Sequence, residues 1–363
     1  MTETETETVT ETETVNADRL QFGLNTFGDV SHDAEGHPVS YPQVIRDVVE
    51  QGVLADRVGI DAFAIGEHHR DDFSVSAPDV ILAAIAARTE RITLSSAVTV
   101  LSSDDPIRVF QRFATLDAIA NGRAEIIVGR GSFTESFPLF GLELSDYQVL
   151  FDEKLHLLSA VLHEGPVTWS GSTRPPLDGV EIYPKTAAGI RTWVGVGGSP
   201  ESVVRAANYG MPMMLAIIGG DPARFAPYVD LFGRALDEVG KDRQPVGVHS
   251  PGFIADTDEQ AREEFWPNYE VAFSRIGRER GWGPTTHAHY LDEIEHGSLY
   301  VGSPETVAAK IATTVTTLGL QRFDLKYGTG PTPHADLMHA ITLYGERVVP
   351  MVRELVAETA PTQ

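Results

Sequence analysis

The decapeptide AIGEHHRDDF, residues 64–73, ends an apolar run in Glu67, His68 and His69, followed by Arg70 and two further acids. So many titratable groups at one strand end admit three chemistries: a metal site, an acid/base site or a solvated polar loop. Adjacent side chains on extended backbone point to opposite sides, so His68 and His69 cannot readily ligate one ion together. There is no HExxH segment, and the first strand-like run, LQFGLNTF (20–27), lacks the His-x-His that would turn two ligands inward. No metal is expected. The economical reading turns one histidine towards a site and packs the other behind it. His68 is the candidate acid/base, because imidazole titrates near neutrality. His69 reads as structural, and Glu67 stays open between the two roles.

Two other stretches point to an anionic ligand. GVGGSPES (195–202) places Gly197, Gly198 and Ser199 just before a helix. Free backbone N–H groups and the helix dipole make such a terminus a phosphate site. Ser199 suits a helix cap and equally a phosphate contact. In VGRGSF (128–133), Arg130 supplies a fixed positive charge, followed by Gly131 and Ser132. It meets a phosphate or pairs with one of the many acids. Together the two stretches favour a phosphate-bearing cofactor.

These residues need elements to hold them. Strand-like runs at 20–27, 61–67, 91–101, 123–131, 191–198, 211–220, 244–256 and 322–328 alternate with helical spacing, notably over 41–59, 78–89, 106–122, 147–165, 258–275 and 303–318. Continuous apolar strands suit a parallel sheet covered on both faces. Eight β/α units predict an α/β fold of the (β/α)8 TIM-barrel type, rather than an open doubly wound sheet. In such a barrel the chemistry stands at the C-terminal strand ends. Those ends carry Asn25 and Thr26, then Glu67 to His69, then Ala97, Val98 and Thr99, then Arg130 to Glu135, then Gly197 to Ser199. Two insertions follow strands 4 and 7. Residues 166–190 are Pro/Gly-rich and are expected as a hairpin near the barrel mouth. Residues 276–302 hold Trp282, His287, His289 and Tyr290 and are expected as a lid. Phe273, Trp282 and Tyr290 point to an organic substrate with apolar surface.

Composition bounds the rest. The 363 residues carry a formal net charge of -24, with 42% hydrophobic and 22% charged residues. An acidic chain is a poor partner for nucleic acid or an anionic membrane. There is no cysteine, which excludes disulfides and thiolate chemistry. Residues 1–18 are a low-complexity Thr/Glu stretch expected to be a disordered acidic tail. Residues 19–358 are expected to form one domain. Without a basic start or an apolar core the N-terminus is not an export signal, and no apolar run approaches the length of a bilayer span. A cytoplasmic location is expected.

GIDAFAIGEHH, ITLSSAVTVLSSDDPIRVFQRFATLDAIANGR, IIVGRGSF, GVGGSPESVVRAANYGMPMM and YVGSPETVAAKI, in this order, resemble the bacterial-luciferase-like, flavin-dependent monooxygenase family over nearly all of residues 20–355. The resemblance implies a TIM barrel that binds FMN, delivered reduced by a partner flavin reductase, or a deazaflavin that works by hydride transfer. Monooxygenase members react reduced flavin with O2 in a site kept from water. By the same resemblance, His68 matches the histidine of the family's EHH motif, associated there with acid/base chemistry beside the flavin. Arg130 and its Gly131–Ser132 turn match the segment that contacts the flavin phosphate, and Gly197, Gly198 and Ser199 match the loop that binds it. Ala97, Val98 and Thr99 match the end of the third strand, where a non-prolyl cis peptide often faces the flavin ring. Gly129 stands where the luciferase has its reactive cysteine, which puts light emission and a long-chain aldehyde substrate in doubt. The implied function is oxidation of a small organic substrate by an FMN-using monooxygenase, with a homodimer as the usual assembly. The alternatives are a deazaflavin-dependent dehydrogenase or reductase and a non-catalytic flavin-binding subunit.

Overall fold

The computed structural model describes residues 15–33, 35–131, 133–281 and 283–359. Of the expected acidic tail, residues 1–14 lie outside that range. Residues 15–18 lie within it: Ala17–Arg19 form a 3-10 turn capped by Asn16, and the Ala17 carbonyl accepts a hydrogen bond from Arg353.

Eight parallel strands form the barrel: β1 (Gln21–Thr26), β2 (Ala62–Ile65), β3 (Thr93–Ser96), β4 (Ala124–Gly129), β5 (Arg191–Val196), β6 (Met213–Ala216), β7 (Val246–Ile254) and β8 (Arg322–Lys326), with two short strands, Thr99–Val100 and Tyr300–Gly302, added alongside β4 and β7. Each pairs with the next in sequence, and β8 pairs with β1, so the sheet closes into the expected barrel. Around it run α1 (Tyr41–Arg57), α2 (Pro78–Ala86), α3 (Pro106–Ala120), α4 (Tyr147–Leu162), α5 (Pro200–Tyr209), α6 (Ala226–Glu238), α7 (Asp258–Arg280), α8 (His287–Glu295), α9 (Pro304–Leu318), α10 (His334–Leu343) and α11 (Val349–Thr359). The starts follow from local chemistry. Proline in the first turn of α2, α3, α5 and α9 lacks an N–H that would go unbonded there. Asp105, Ser199, Thr257 and Ser303 cap free N–H groups with side-chain oxygens.

Two regions differ from expectation. Residues 166–190 do form a hairpin, Val167–Trp169 against Leu177–Val180. It joins α4 to β5, so its base lies at the end of the barrel opposite the mouth. It lies against α4, where Glu153 accepts from Ser172 and Thr173. Only its tip reaches the rim, through an Arg174–Asp105 ion pair of 3.2 Å. Residues 276–302 are not an open lid: α7 runs on to Arg280 and α8 follows. Tyr290 is fully buried against Trp266 and Tyr269, with its hydroxyl on the Arg262 carbonyl, and Phe273 stacks on Tyr269 at 4.1 Å. Tyr290 therefore belongs to the core and lines no substrate site, and the stacked ring of Phe273 packs on that core. Trp282 lies outside the described residues.

The barrel interior is layered. At its N-terminal end Arg322 bonds Asp324 through Nε and Nη2 at 2.7 and 2.9 Å, and Glu125 through Nη1 at 2.7 Å. Above this, Trp193, Ile127 and Met214 form a separate apolar layer with Val98 against it. Removing one partner of a buried ion pair leaves an uncompensated charge and costs about 3–5 kcal/mol. Arg322→Met should therefore lower unfolding free energy by that order in a urea titration. A change under about 1 kcal/mol, the range of an exposed pair, would show that the cluster holds nothing together.

Candidate active site

The C-terminal strand ends gather most of the polar residues singled out in the sequence. His68 is 9% exposed and lies in the loop after β2. Its Nδ1 sits 3.4 Å from Glu135 Oε1, in the loop after β4. Phe73 stacks on its ring at 4.4 Å, and Phe27 and Phe133 approach edge-on at 4.8 and 5.1 Å. Among the described residues nothing bonds Nε2, so the carboxylate selects the tautomer and leaves the other nitrogen available. Burial would raise the Glu135 carboxyl. Hydrogen bonds from His68 and from the backbone outweigh it and hold the group below the usual carboxylate range.

His69 faces away. Its Nε2 lies 2.9 Å from Glu67 Oε1, its ring edges onto Phe140, and Glu67 Oε2 accepts from the Val100 N–H at 3.3 Å. Glu67 thus belongs with His69, tying the β2 loop to the end of β3. The remaining charges are also structural. Arg70 forks onto Asp72 and reaches Glu279 at 2.6 Å, and Arg275 pairs with Asp71. Loop 67–73 is thereby clamped to the C-terminal end of α7. Among the described residues no three His, Asp or Glu side chains gather closely enough to hold a metal ion.

The residues expected to meet an anion gather at the N-terminus of α5. Ser199 Oγ caps the Ser202 N–H and bonds Ser202 Oγ at 2.9 Å. Arg130 Nη2 and Arg205 Nη1 both point at Ser202 Oγ, at 3.5 and 3.3 Å. Arg205 shares its charge with Asp152, whereas among the described residues no carboxylate lies within ion-pair distance of Arg130, which rests over the Tyr147 ring. Two guanidiniums, two hydroxyls and a helix N-terminus therefore converge with one cation unneutralised. Gly198 has φ of 100°, a conformation that favours glycine, and its carbonyl accepts from Tyr228. Gly131 also has positive φ, with its carbonyl bonded to Tyr147. A side chain at Gly197 would project into open space. Ser132 lies outside the described residues. Arg205, Ser202 and Glu135 gained no role from sequence: Arg205 reads as an ordinary polar helix residue, and Glu135 stands 67 positions from its partner.

Between the two clusters lies a floor of small residues. The Ala97–Val98 peptide is cis, and the Val98 side chain turns into the barrel. A Cβ at Gly129 would meet Val98 at 2.8 Å, and one at Gly195 would stand 3.3 Å from both Val98 and the Val128 carbonyl. Thr99 contributes no free hydroxyl, because its Oγ1 bonds Ser96 Oγ at 2.9 Å. Deeper on the β1–β7 side, Asn25 Nδ2 meets His249 Nδ1 at 2.5 Å. Burial and then nearby Lys326 push the His249 imidazole down to about 4, so it is neutral at pH 7.

This closed parallel barrel, with its polar site at the C-terminal strand ends, is the TIM-barrel form of the luciferase-like proteins. The family model described as luciferase-like monooxygenase matches residues 20–336, and the chain belongs to that family. The alkanal monooxygenase alpha chain of Photobacterium leiognathi is 21% identical over 345 residues, 87% of this chain and 95% of that one. The monooxygenase RslO1 from Streptomyces bottropensis superimposes with a TM-score of 0.77 at 23% identity, covering 91% of this chain and 99% of its own. The oxygenating constituent of 3,6-diketocamphane monooxygenase from Pseudomonas putida, solved with FMN, gives 0.75 at 18% identity over 92% and 98%. An F420-dependent secondary alcohol dehydrogenase gives 0.71 at 18% over 92% and 99%, so proteins of this fold use either FMN or F420. Among the described residues no helix is long and apolar enough to cross a membrane.

The Glu135 contact carries a signed pH dependence. A carboxyl held below its usual range contributes stability above its unfolded value and loses it as pH falls through the folded one. The stability gap between wild type and Glu135→Gln should therefore be present at pH 5 and shrink on acidification below 4.5. A gap that grows towards pH 3 in chemical denaturation would contradict the assigned contact.

Proposed function

We propose that this chain is an FMN-using monooxygenase that oxidises a small organic substrate with O2. The observation that carries the reading is the convergence of Arg130, Arg205, Ser199 and Ser202 on the α5 N-terminus, beside a floor that side chains at Gly129 and Gly195 would crowd. A phosphate fits the first and a flat ring the second. When bound, reduced FMN supplies the electrons that activate O2. It arrives reduced from a separate reductase, in a cytoplasmic setting, and the working assembly is a homodimer.

The chain's own residues then have distinct tasks. Arg130 and the α5 N-terminus hold the phosphate, with Ser199, Ser202 and the backbone of Gly131, Gly197 and Gly198 shaping the cradle. Ala97, Val98 and Thr99 set the floor on which the ring rests, through their backbone and the Val98 side chain. Phe27, Phe73 and Phe133 exclude water around His68. His68 holds or delivers a proton at Nε2, and Glu135 keeps its ring oriented. The intact His68–Glu135 pair favours a catalytic subunit over an inactive accessory one. A deazaflavin carries a related ring and phosphate, and direct titration of each cofactor separates the two readings.

Arg130→Ala should weaken FMN by about 1.5–3 kcal/mol, the worth of a charge-assisted hydrogen bond, and leave riboflavin binding unchanged in a fluorescence titration. Equal losses for both ligands would remove Arg130 from the phosphate site. His68→Ala should bind FMN normally and lose about 10²–10⁴-fold in turnover. Undiminished turnover would reassign the proton-transferring group.

A further inference from the structure

We propose that the barrel mouth takes a planar aromatic substrate bearing a hydroxyl group, held against phenylalanine rings and recognised at depth by Asn25. The inference rests on the flavin-site reading, because it treats the same mouth as the substrate side of that site.

Three loops bring rings together here. Phe27 follows β1, Phe73 lies in the β2 loop and Phe133 in the β4 loop. Phe73 lies stacked on His68 at an interplanar angle of 27°, while Phe133 stands at 80° to it. Phe27 and Phe73 are 6.1 Å apart at 68°, and Phe73 and Phe133 are 6.3 Å apart at 53°. No two of the three phenylalanines close face to face, and all three stay half-buried. Apolar rings drawn together by three separate loops and left partly uncovered gain from being covered. A flat aromatic guest covers them best, because its own ring adds edge-to-face or offset contacts that an alkyl chain lacks. Three cations face these rings, Arg70 and Arg280 at 4.5 and 5.5 Å from Phe133 and Lys326 at 4.8 Å from Phe27; Arg70 is committed to Asp72 and Glu279, and Lys326 to Asp29.

The polar end of the guest is set below the rings. Phe27 lies parallel to His249 at 6.0 Å and 16°. Asn25 is 1% exposed, bonds His249 through one end of its amide, and has Oδ1 buried without a partner among the described residues. Whichever way the amide is turned, one end remains unpaired. A hydroxyl satisfies it in either orientation, because it both donates and accepts. His249 beside it is neutral, and the charge of nearby Lys326 is met by Asp29 at 3.1 Å, so the matched guest is an uncharged phenol or naphthol.

The test titrates the full chain, loaded with FMN, with 2-naphthol, its methyl ether and decanal by calorimetry. We expect 2-naphthol to bind about tenfold tighter than either of the others, and Phe73→Leu and Phe133→Leu each to weaken it about tenfold. Asn25→Leu should bring 2-naphthol to the level of the ether. Decanal binding as tightly as 2-naphthol, an ether that matches it, or leucine variants indistinguishable from wild type would each overturn the proposal. The comparison of ligands on the wild-type chain needs no variant to fold. If FMN does not bind but the ligand ranking holds, the cofactor reading falls and the aromatic site stands; if FMN binds and the ranking is lost, the reverse follows.

Discussion

The structure hangs on a charged crossbar at the bottom of the barrel. Arg322 on β8 reaches Glu125 on β4, the strand diametrically opposite, while its other two nitrogens fork onto Asp324. A buried guanidinium is expensive unless every donor finds an acceptor in good geometry. The two carboxylates hold it firmly in its charged form: burial opposes the charge, but they outweigh that burial. The crossbar also dictates a neighbour. Gly23 on β1 has no side chain because the Asp324 carboxylate fills the place where its Cβ would stand. The stack above depends on it in turn. The Trp193 ring lies over Arg322 at 5.4 Å, and Val98 rests against the layer that Trp193 forms with Ile127 and Met214.

What the bottom fills, the top leaves open. Inward positions alternate along each strand, so on β2 to β5 the residues that follow the filled layers towards the C-terminal ends are Gly66, Ala97, Gly129 and Gly195, all small. A Cβ at Gly66 would meet the Ala97 carbonyl at 2.7 Å and the Phe27 ring at 2.4 Å. The room these residues leave is therefore shaped by Phe27 and Val98, which reach into it. Around it the loops are fixed by ion pairs across elements distant in sequence, above all Arg70 with Glu279 and Arg275 with Asp71. The same economy lets a chain of net charge -24 gather cations at one place. Screening confines most surface acids to about 8–10 Å at physiological salt. A local cluster of two arginines and a helix N-terminus then sets the potential within hydrogen-bond range.

Much of this was legible in the sequence, for physical reasons. Apolar runs flanked by helical spacing betray a parallel barrel because both strand faces are buried, and a barrel tells which strand ends carry chemistry. Gly197 to Ser199 announces a helix start through local rules alone. What stayed hidden depends on contacts between residues far apart in the chain. Glu135 meets His68, Arg205 turns towards Ser202, and Glu125 waits for Arg322 across 197 positions. Tyr290 misled because an aromatic residue in a long connection looks the same in sequence whether it lines a pocket or packs under a helix. Only the run of α7 to Arg280 and the placement of α8 decide that.

Two adjacent histidines with the same chemistry end in different roles, and the difference lies in their carboxylates. Among the described residues Glu135 leaves His68 Nε2 without a partner in the mouth, among three rings that slow the approach of water. Glu67 draws His69 to the other side of the loop and spends its second oxygen on the Val100 N–H, two residues from the cis Ala97–Val98 peptide. One pair therefore turns an imidazole nitrogen towards the mouth, and the other fixes the β2 loop to the floor beneath it. Neither task is separable from the other: a His68 that is free to drift relative to Val98 would lose its placement over whatever rests on that floor. The cluster of acids and imidazoles at residues 67–73 is thus a single joint, in which most of the charge positions and one nitrogen remains for chemistry.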